Sequence, residues 1–394
     1  MTAPEKTILL GWQASSNFGW GLVGLNIFFH WAATPGLRPM LLLPIEEEDL
    51  RMVDPLRRQR AQAAIDFSND AARKILAAIG SQKLAMDIPV IHGAGNGFGT
   101  PDQNRLTGKP NIGRTIFEDT TIGPIMDRIE MYDALLCASE WAAGLLRAHT
   151  AKPVKVIHEA IDPSLFFPGP KSGMMDASRF YVFTGGKVEF RKGQDLVMLA
   201  FREFSRRHDD AMLVTSWQSP WAERAAGFKG RLEAPISLDA NKKLDVKRWA
   251  AENGIDPNKV IDIGIIPNQL LPMVLREMDC ALQPSRAEAC TNMLVKEAMA
   301  CGLPVIAAAN TGVKDLIREG NCIPLLRQTP IVDRGNSGCE GWGESDVEEM
   351  IEALERLYAS AELRRTIGAT AATFMQDRTW GNHAAKLKDW LFSF

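Results

Sequence analysis

Twice along this chain, short apolar runs alternate with segments of helical length, and the stretch AIDPSLFFPGPKSGMMDASR (160–179) separates the two series. This double alternation constrains the fold more than any other feature, because strands that alternate with helices pair in parallel and are covered on both faces. The first series contains TILLGW, GLVGLNIFFHWA, RPMLLLPI, DIPVIHG, NIGRTIFED, DALLCAS and VKVIHEAI. The second contains FYVFTGG, GQDLVMLAFREFSRRH, AMLVTSW, KVIDIGII, NQLLPMVLREM, DCALQPS, TNMLVKEAMACG and LPVIAAA. The linker carries three prolines and two glycines without periodicity, as a domain boundary does. The expected fold class is therefore α/β, with two Rossmann-like doubly wound domains, residues 1–165 and 166–377, facing across a cleft. The amphipathic closing segment, 378–394, needs a surface to cover.

A length of 394 residues suits two such domains. With 45 Lys and Arg against 48 Asp and Glu, the formal net charge is −3, which lacks the cationic surplus that displaces counterions from nucleic acid. Nucleic acid is thus not an expected partner, and any anion site must be local. No run of 18 apolar residues appears, and MTAPEKTILLGW lacks the features of a secretory leader, so a cytoplasmic location is expected. The six cysteines form no C-x-x-C pair and read as reduced, buried thiols; no metal site is expected.

Ligands of doubly wound domains bind in loops at the carboxyl ends of the strands. The first such loop, SSNFGWGLVG, places Gly19, Gly21 and Gly24 in a G-x-G-x-x-G pattern, with Glu46 after the next strand in reach of a ribose. Glycines are equally needed wherever a strand turns sharply into a closely packed helix, and that packing role is the preferred reading. In the second domain, VFTGGKVEFRKGQDL sets Gly185 and Gly186 at a strand end, with Lys187 and Lys192 ahead of a helix that begins near Gly193. Two cations at a helix start suit a diphosphate. Farther on, Thr291 or Asn292 caps a helix that stops at Gly302. The backbone N–H groups of Thr291, Asn292, Met293 and Leu294 would face the cleft with the positive helix end behind them. Glu297, inside that helix, can accept two hydrogen bonds from a ribose diol. Glu288, on the loop before it, reaches the next group along the ligand.

These residues resemble the GT-B fold, group 1 (family 4) retaining glycosyltransferases that use nucleotide sugars. FTGGKVEFRKGQDLV is similar to the family's diphosphate loop, with Lys187 in the place usually held by Arg and Lys192 in that of its Lys. VIDIGIIPNQLLPM is similar to its base-binding loop, which assigns base contacts to Ile265 and Ile266. KEAMACGLPVIAAANTG resembles its most recognisable signature, which makes Glu297 the ribose ligand. FEDT, CASEW and VIHEAIDPSLFFP are similar to the acceptor-side strand, a Ser-Glu strand end and the hinge. The family motif has seven residues between its two glutamates, whereas eight separate Glu288 from Glu297; either a one-residue insertion still presents Glu288 to the sugar, which is the preferred reading because loops absorb single insertions readily, or the first glutamate's role is lost. The histidine usual in the acceptor domain has its best counterpart in His92, and Glu118 stands near another. His92, Glu118 and Glu288 are thus the catalytic candidates, with Gly19 and Gly21 as the first-domain glycine loop.

The resemblance implies transfer of a sugar from a nucleotide-diphosphate donor, of UDP or GDP type, to a hydroxyl of a glycan or lipid-linked glycan. It implies retention at the anomeric carbon, no metal and no cofactor, and a closing helix that crosses back to the first domain. Two other readings stay open. One is an NAD(P)-dependent dehydrogenase using the Gly19/Gly21/Gly24 loop and Glu46; the other is a sugar-nucleotide binder without catalysis. Arg57, Arg58 and Arg60 beside a helical apolar pattern allow peripheral contact with the inner membrane surface, although a solvated face is the preferred reading.

Overall fold

The computed structural model describes residues 5–99, 105–219, 221–332, 335 and 337–394. The first domain contains β1 (Lys6–Gly11), α1 (Gly19–Ala32), β2 (Leu37–Leu41), α2 (Pro55–Ser81), β3 (Leu84–Ala85), β4 (Val90–Ala94), β5 (Leu106–Thr107), β6 (Asn111–Thr115), β7 (Ala134–Cys137), α3 (Glu140–Arg147) and β8 (Val154–Val156). Its main sheet is parallel throughout, in the order β2-β1-β4-β6-β7-β8. Strands such as Ala134–Cys137 are buried at every position, which is why they read as unbroken apolar runs.

The second domain begins with β9 (Phe180–Gly185), α4 (Gln194–Arg207), β10 (Ala211–Ser216), α5 (Val246–Glu252), β11 (Val260–Asp262), α6 (Leu271–Leu275) and β12 (Cys280–Gln283). It continues with α7 (Met293–Ala300), β13 (Val305–Ala308), β14 (Ile323–Leu325), β15 (Gln328–Pro330), β16 (Gly343–Ser345), α8 (Val347–Ala359) and α9 (Ala361–Met375). The parallel sheet runs β11-β10-β9-β12-β13-β14. The chain builds outward from β9 in one direction and from β12 in the other, so the loops after these two strands flank the crevice where ligands of such sheets bind. In the first sheet the corresponding reversal lies between β1 and β4.

The closing helix, α10 (Trp380–Leu391), belongs to the first domain by packing. Trp380, Ala384, Leu387 and Leu391 enter the same core as Ile27, Phe28 and Trp31, and the Trp31 indole donates to Ala384 O at 2.9 Å. The crossover between domains is pinned where Ile161 N donates to Arg378 O and Trp380 N donates back to Ile161 O. Phe166 lies in the second domain's core. A third connection was not legible in the sequence: residues between β15 and β16 reach the first domain, where Gly338 N donates to Asp119 Oδ1 and the Trp342 indole to Glu118 O. No described helix is long and apolar enough to cross a membrane.

Candidate active site

The loop after β9 folds as its glycines demand. Gly186 has φ 107° and Gly193 φ 71°, both in the region that favours glycine. A Cβ on Gly193 would meet Pro284 O at 2.5 Å, so the loops after β9 and β12 are pressed together. The Gln194 amide donates to Gly186 O and Lys187 O, each at 3.1 Å, and holds the turn. On the facing loop, Arg286 is fully buried; it binds Asp195 at 2.8 and 2.7 Å and Glu344 at 2.9 Å. Bidentate guanidinium contacts of this kind fix geometry as well as charge.

This framework brings Glu288 and Lys192 together. Lys192 Nζ donates to both Glu288 oxygens, at 2.8 and 3.0 Å, and Arg191 Nη1 donates to Oε2 at 2.7 Å. The Ser285 hydroxyl and the Asn292 amide complete the shell at 2.7 and 2.9 Å. Burial by itself would raise the Glu288 carboxyl, but Lys192 and then Arg191 outweigh it and hold the group at about 2. Ala289, the position that strict counting with seven intervening residues gives, accepts at its carbonyl from Ser139 Oγ of the first domain. In the turn before α7, Asn292 has φ 56°. Asparagine tolerates that left-handed conformation better than most residues.

Asn292 is the N-cap of α7, and its Oδ1 accepts from Leu294 N at 3.1 Å and Val295 N at 3.4 Å. The Leu294 amide, expected to face a ligand, is therefore already held by the cap. Thr291 Oγ1 is buried without a hydrogen-bond partner. One turn into α7, Glu297 accepts from Asn268 Nδ2 at 2.5 Å, and burial pushes its carboxyl up to about 8. Glu297 and Asn268 border an interdomain cavity of about 310 Å³, with Met293, Gln269 and, from the first domain, Leu22 and Arg51. Ile265, which is 64% exposed, and Ile266, packed on the second core, do not line it; the loop's contribution is Asn268–Leu270.

The two lysines are unequal. Lys192 is enclosed, whereas the Lys187 side chain is half exposed, with Nζ 3.8 Å from Glu189. Arg191 is the residue sequence reasoning missed. It bonds Glu288 and, at 2.6 Å, Glu189, and its Nη2 lies 3.5 Å from Glu118 of the opposite domain. Its one legible signal was a third cation in KVEFRKG, between Lys187 and Lys192. Among the described residues no group of three or more His, Cys, Asp and Glu side chains is placed to hold a metal ion.

Three first-domain candidates are placed differently. Glu118 faces the cleft, fixed by an Asn96 Oδ1 bond to its amide at 3.1 Å. His92 lies within β4, fully buried, with Nε2 on Asn111 Oδ1 at 2.9 Å, and it is in the domain core instead of on the cleft. Burial lowers its pKa, so it is neutral there. His92→Leu is expected to cost about 1–2 kcal/mol through the lost buried bond. A melting point lower by about 4 °C with turnover unchanged checks this. Of the glycines, Gly19 has open space beside it, while a Cβ on Gly21 would meet Ser15 at 2.7 Å and one on Gly24 the Trp12 indole at 2.8 Å. The last two glycines are packing residues. Glu46 caps a short 3₁₀ turn, in a reciprocal capping box with Asp49.

Residues 179–360 match the family model described as glycosyl transferases group 1. D-inositol 3-phosphate glycosyltransferases of Catenulispora acidiphila and Mycolicibacterium vanbaalenii are each 27% identical, over 184 and 203 residues. Those matches cover 45% and 49% of this chain and 40% and 42% of theirs, so the chain spans about two fifths of the length of the curated relatives it matches. Among solved structures, sucrose-phosphate synthase of Thermosynechococcus elongatus superposes with a TM-score of 0.67 at 15% identity, over 99% of this chain and 100% of that one. HepE of Anabaena, in complex with UDP and glucose, does so with a TM-score of 0.66 at 14% identity, over the same shares. Two Rossmann-like domains with a returning C-terminal helix make this a GT-B fold.

Proposed function

We propose that this chain transfers a sugar from a nucleoside-diphosphate sugar to an acceptor hydroxyl with retention at the anomeric carbon. The observation that carries the reading is the Lys192–Glu288–Arg191 cluster at the second domain's crevice, faced across the cleft by Glu118. Lys192, the N-terminal end of α7 and the free Thr291 hydroxyl would hold the diphosphate. Preorganised donors of this kind stabilise the charge that develops as the anomeric C–O bond breaks. Glu297 would take the ribose hydroxyls, the Asn268–Leu270 side of the cavity the base, and Glu288 the transferred sugar. The bond electrons leave with the diphosphate, the acceptor oxygen bonds the anomeric carbon on the same face, and its proton passes to a departing phosphate oxygen. No protein nucleophile is needed. Glu118 would orient the acceptor, a glycan or lipid-linked glycan.

HepE, which shares the fold, was crystallised with UDP, and UDP is the first donor nucleotide to test. Titration of the chain with UDP, GDP, ADP and NADH decides the class. Tight binding of one diphosphate nucleotide supports transfer, and NADH binding alone would remove it. Binding without turnover of any nucleotide sugar would leave a non-catalytic binder.

The raised Glu297 carboxyl gives a pH signature. Because its folded pKa, about 8, exceeds the ordinary value of 4.5, the folded state binds the extra proton. Its stabilising contribution is therefore complete below pH 4.5 and lost as pH rises to 8. Glu297→Gln is neutral throughout. Its melting point should gain on the native chain between pH 5 and 8 by about 5 °C, then hold a constant lead. Parallel melting curves at all pH values would contradict this placement.

We further propose, as a secondary property, peripheral contact with an anionic lipid surface through α2. Arg57 is engaged by Asp162 and Arg58 by Glu47, so the exposed pair on this face is Leu56, 83% exposed, and Arg60. Two side chains make a small footprint. Cosedimentation with phosphatidylserine vesicles that Arg60→Glu abolishes is the expected outcome; no cosedimentation of the native chain would end this reading.

A further inference from the structure

Three charged side chains that the transfer chemistry leaves unused are buried together where the two domains meet. Arg114 comes from β6, Glu159 from the crossover after β8, and Lys296 from α7; they are 2%, 6% and 0% exposed. One carboxylate serves both cations. Arg114 Nη2 donates to Glu159 Oε1 at 2.8 Å and Lys296 Nζ to Oε2 at 3.4 Å. The Arg114 guanidinium also lies over the Trp12 and Trp20 rings, 5.4 and 5.1 Å from their centroids. These two tryptophans bracket the turn from β1 into α1. His383 of α10 packs beside the group, with Nδ1 bonded to His158 O at 2.8 Å, and burial lowers its pKa to about 4. It therefore adds no further charge.

A buried trio of this kind is a poor source of stability, because desolvating three ions offsets most of their attraction and apolar residues would pack as well. What it supplies is direction. Its bonds close in one relative placement of β6, the crossover and α7, whereas apolar contacts tolerate sliding. The placement matters because each domain's half of the site is attached directly to the trio. Thr115, next to Arg114, ends β6 and leads into the loop that carries Glu118, and Lys296 adjoins Glu297 within a turn of the end of α7 that faces the cleft.

We infer that Arg114, Glu159 and Lys296 are positioning residues, which hold the Glu118 side of the cleft and the donor-binding helix in the one interdomain register that transfer requires. Its kinetic consequence rests on the transfer reaction proposed above; its structural consequence does not.

Lys296→Met tests this with little risk to folding, since it severs the tie to α7 and leaves Arg114 and Glu159 as a neutral pair. Glu159→Gln is the harsher companion, leaving two buried cations without their carboxylate. In both variants UDP should bind within about threefold of the native chain, because its proposed ligands lie in the second domain. Turnover should fall about 100-fold, the scale expected when reacting groups shift by an ångström. Small-angle scattering should show the two domains farther apart than in the native chain. Turnover within about threefold of native together with an unchanged scattering profile would overturn the inference. So would a loss of UDP affinity equal to the loss of turnover, which would make Lys296 a donor ligand. If the native chain transfers no sugar from any donor, the proposed function fails, and the scattering comparison alone then decides: a profile unchanged in both variants overturns the positioning role, and an expanded one upholds it.

Discussion

In a titration without added metal, Lys192→Met is expected to weaken UDP binding and to lower kcat/KM by about 100- to 1,000-fold, the range for removing one preorganised charged donor. Lys192 is the cation best placed for such an effect. It is enclosed, at the crevice of the second sheet, beside Gly186, whose φ of 107° favours glycine. The variant should fold, because Glu288 keeps Arg191, Ser285 and Asn292 as partners. Lys187 supplies the internal control. Its side chain is 49% exposed and only loosely near Glu189, so solvent screens much of what it offers a ligand. Lys187→Met should cost no more than about tenfold. Equal losses in the two variants would show that the lysines act as a symmetric clamp and that the enclosed geometry of Lys192 has no special role.

The contrast between these lysines illustrates what the sequence could and could not carry. The two sheets were legible because strands buried on both faces must be written as unbroken apolar runs, and the closing helix because Trp380, Leu387 and Leu391 repeat at helical spacing. Glycine positions located the loops correctly. Side-chain direction within those loops was not legible. KVEFRKG offers three cations, and only the folded loop, with Gly193 pressed against Pro284, shows that Arg191 and Lys192 turn toward Glu288 while Lys187 does not. His92 shows the same limit in a strand. A histidine followed by glycines reads as a strand end, but β4 continues to Ala94, and the partner that makes its burial tolerable, Asn111, is distant in sequence and adjacent only through β4–β6 pairing. Arg114, Glu159 and Lys296 each sit in apolar surroundings that gave no hint of the others, because a buried ion's partner is set by tertiary contact alone.

Glu288→Gln should separate binding from turnover in opposite directions. In the unliganded chain Lys192 has two competing uses, the Glu288 carboxylate and a diphosphate, and it can serve the second fully only by loosening the first. A neutral amide weakens that competition. UDP affinity is therefore expected to hold or to rise by up to about tenfold, the scale of one exposed-to-buried ion pair released. Turnover should nevertheless fall about 100-fold or more, because the carboxylate proposed to orient the transferred sugar accepts hydrogen bonds that an amide accepts only in part. Arg191 would remain paired with Glu189 and close to Glu118, so the cleft-spanning contact survives and the loss reports on the sugar alone. Were UDP affinity to collapse along with turnover, Glu288 would be acting as the scaffold that aims Lys192 at the phosphates, and the donor sugar would be oriented by another group.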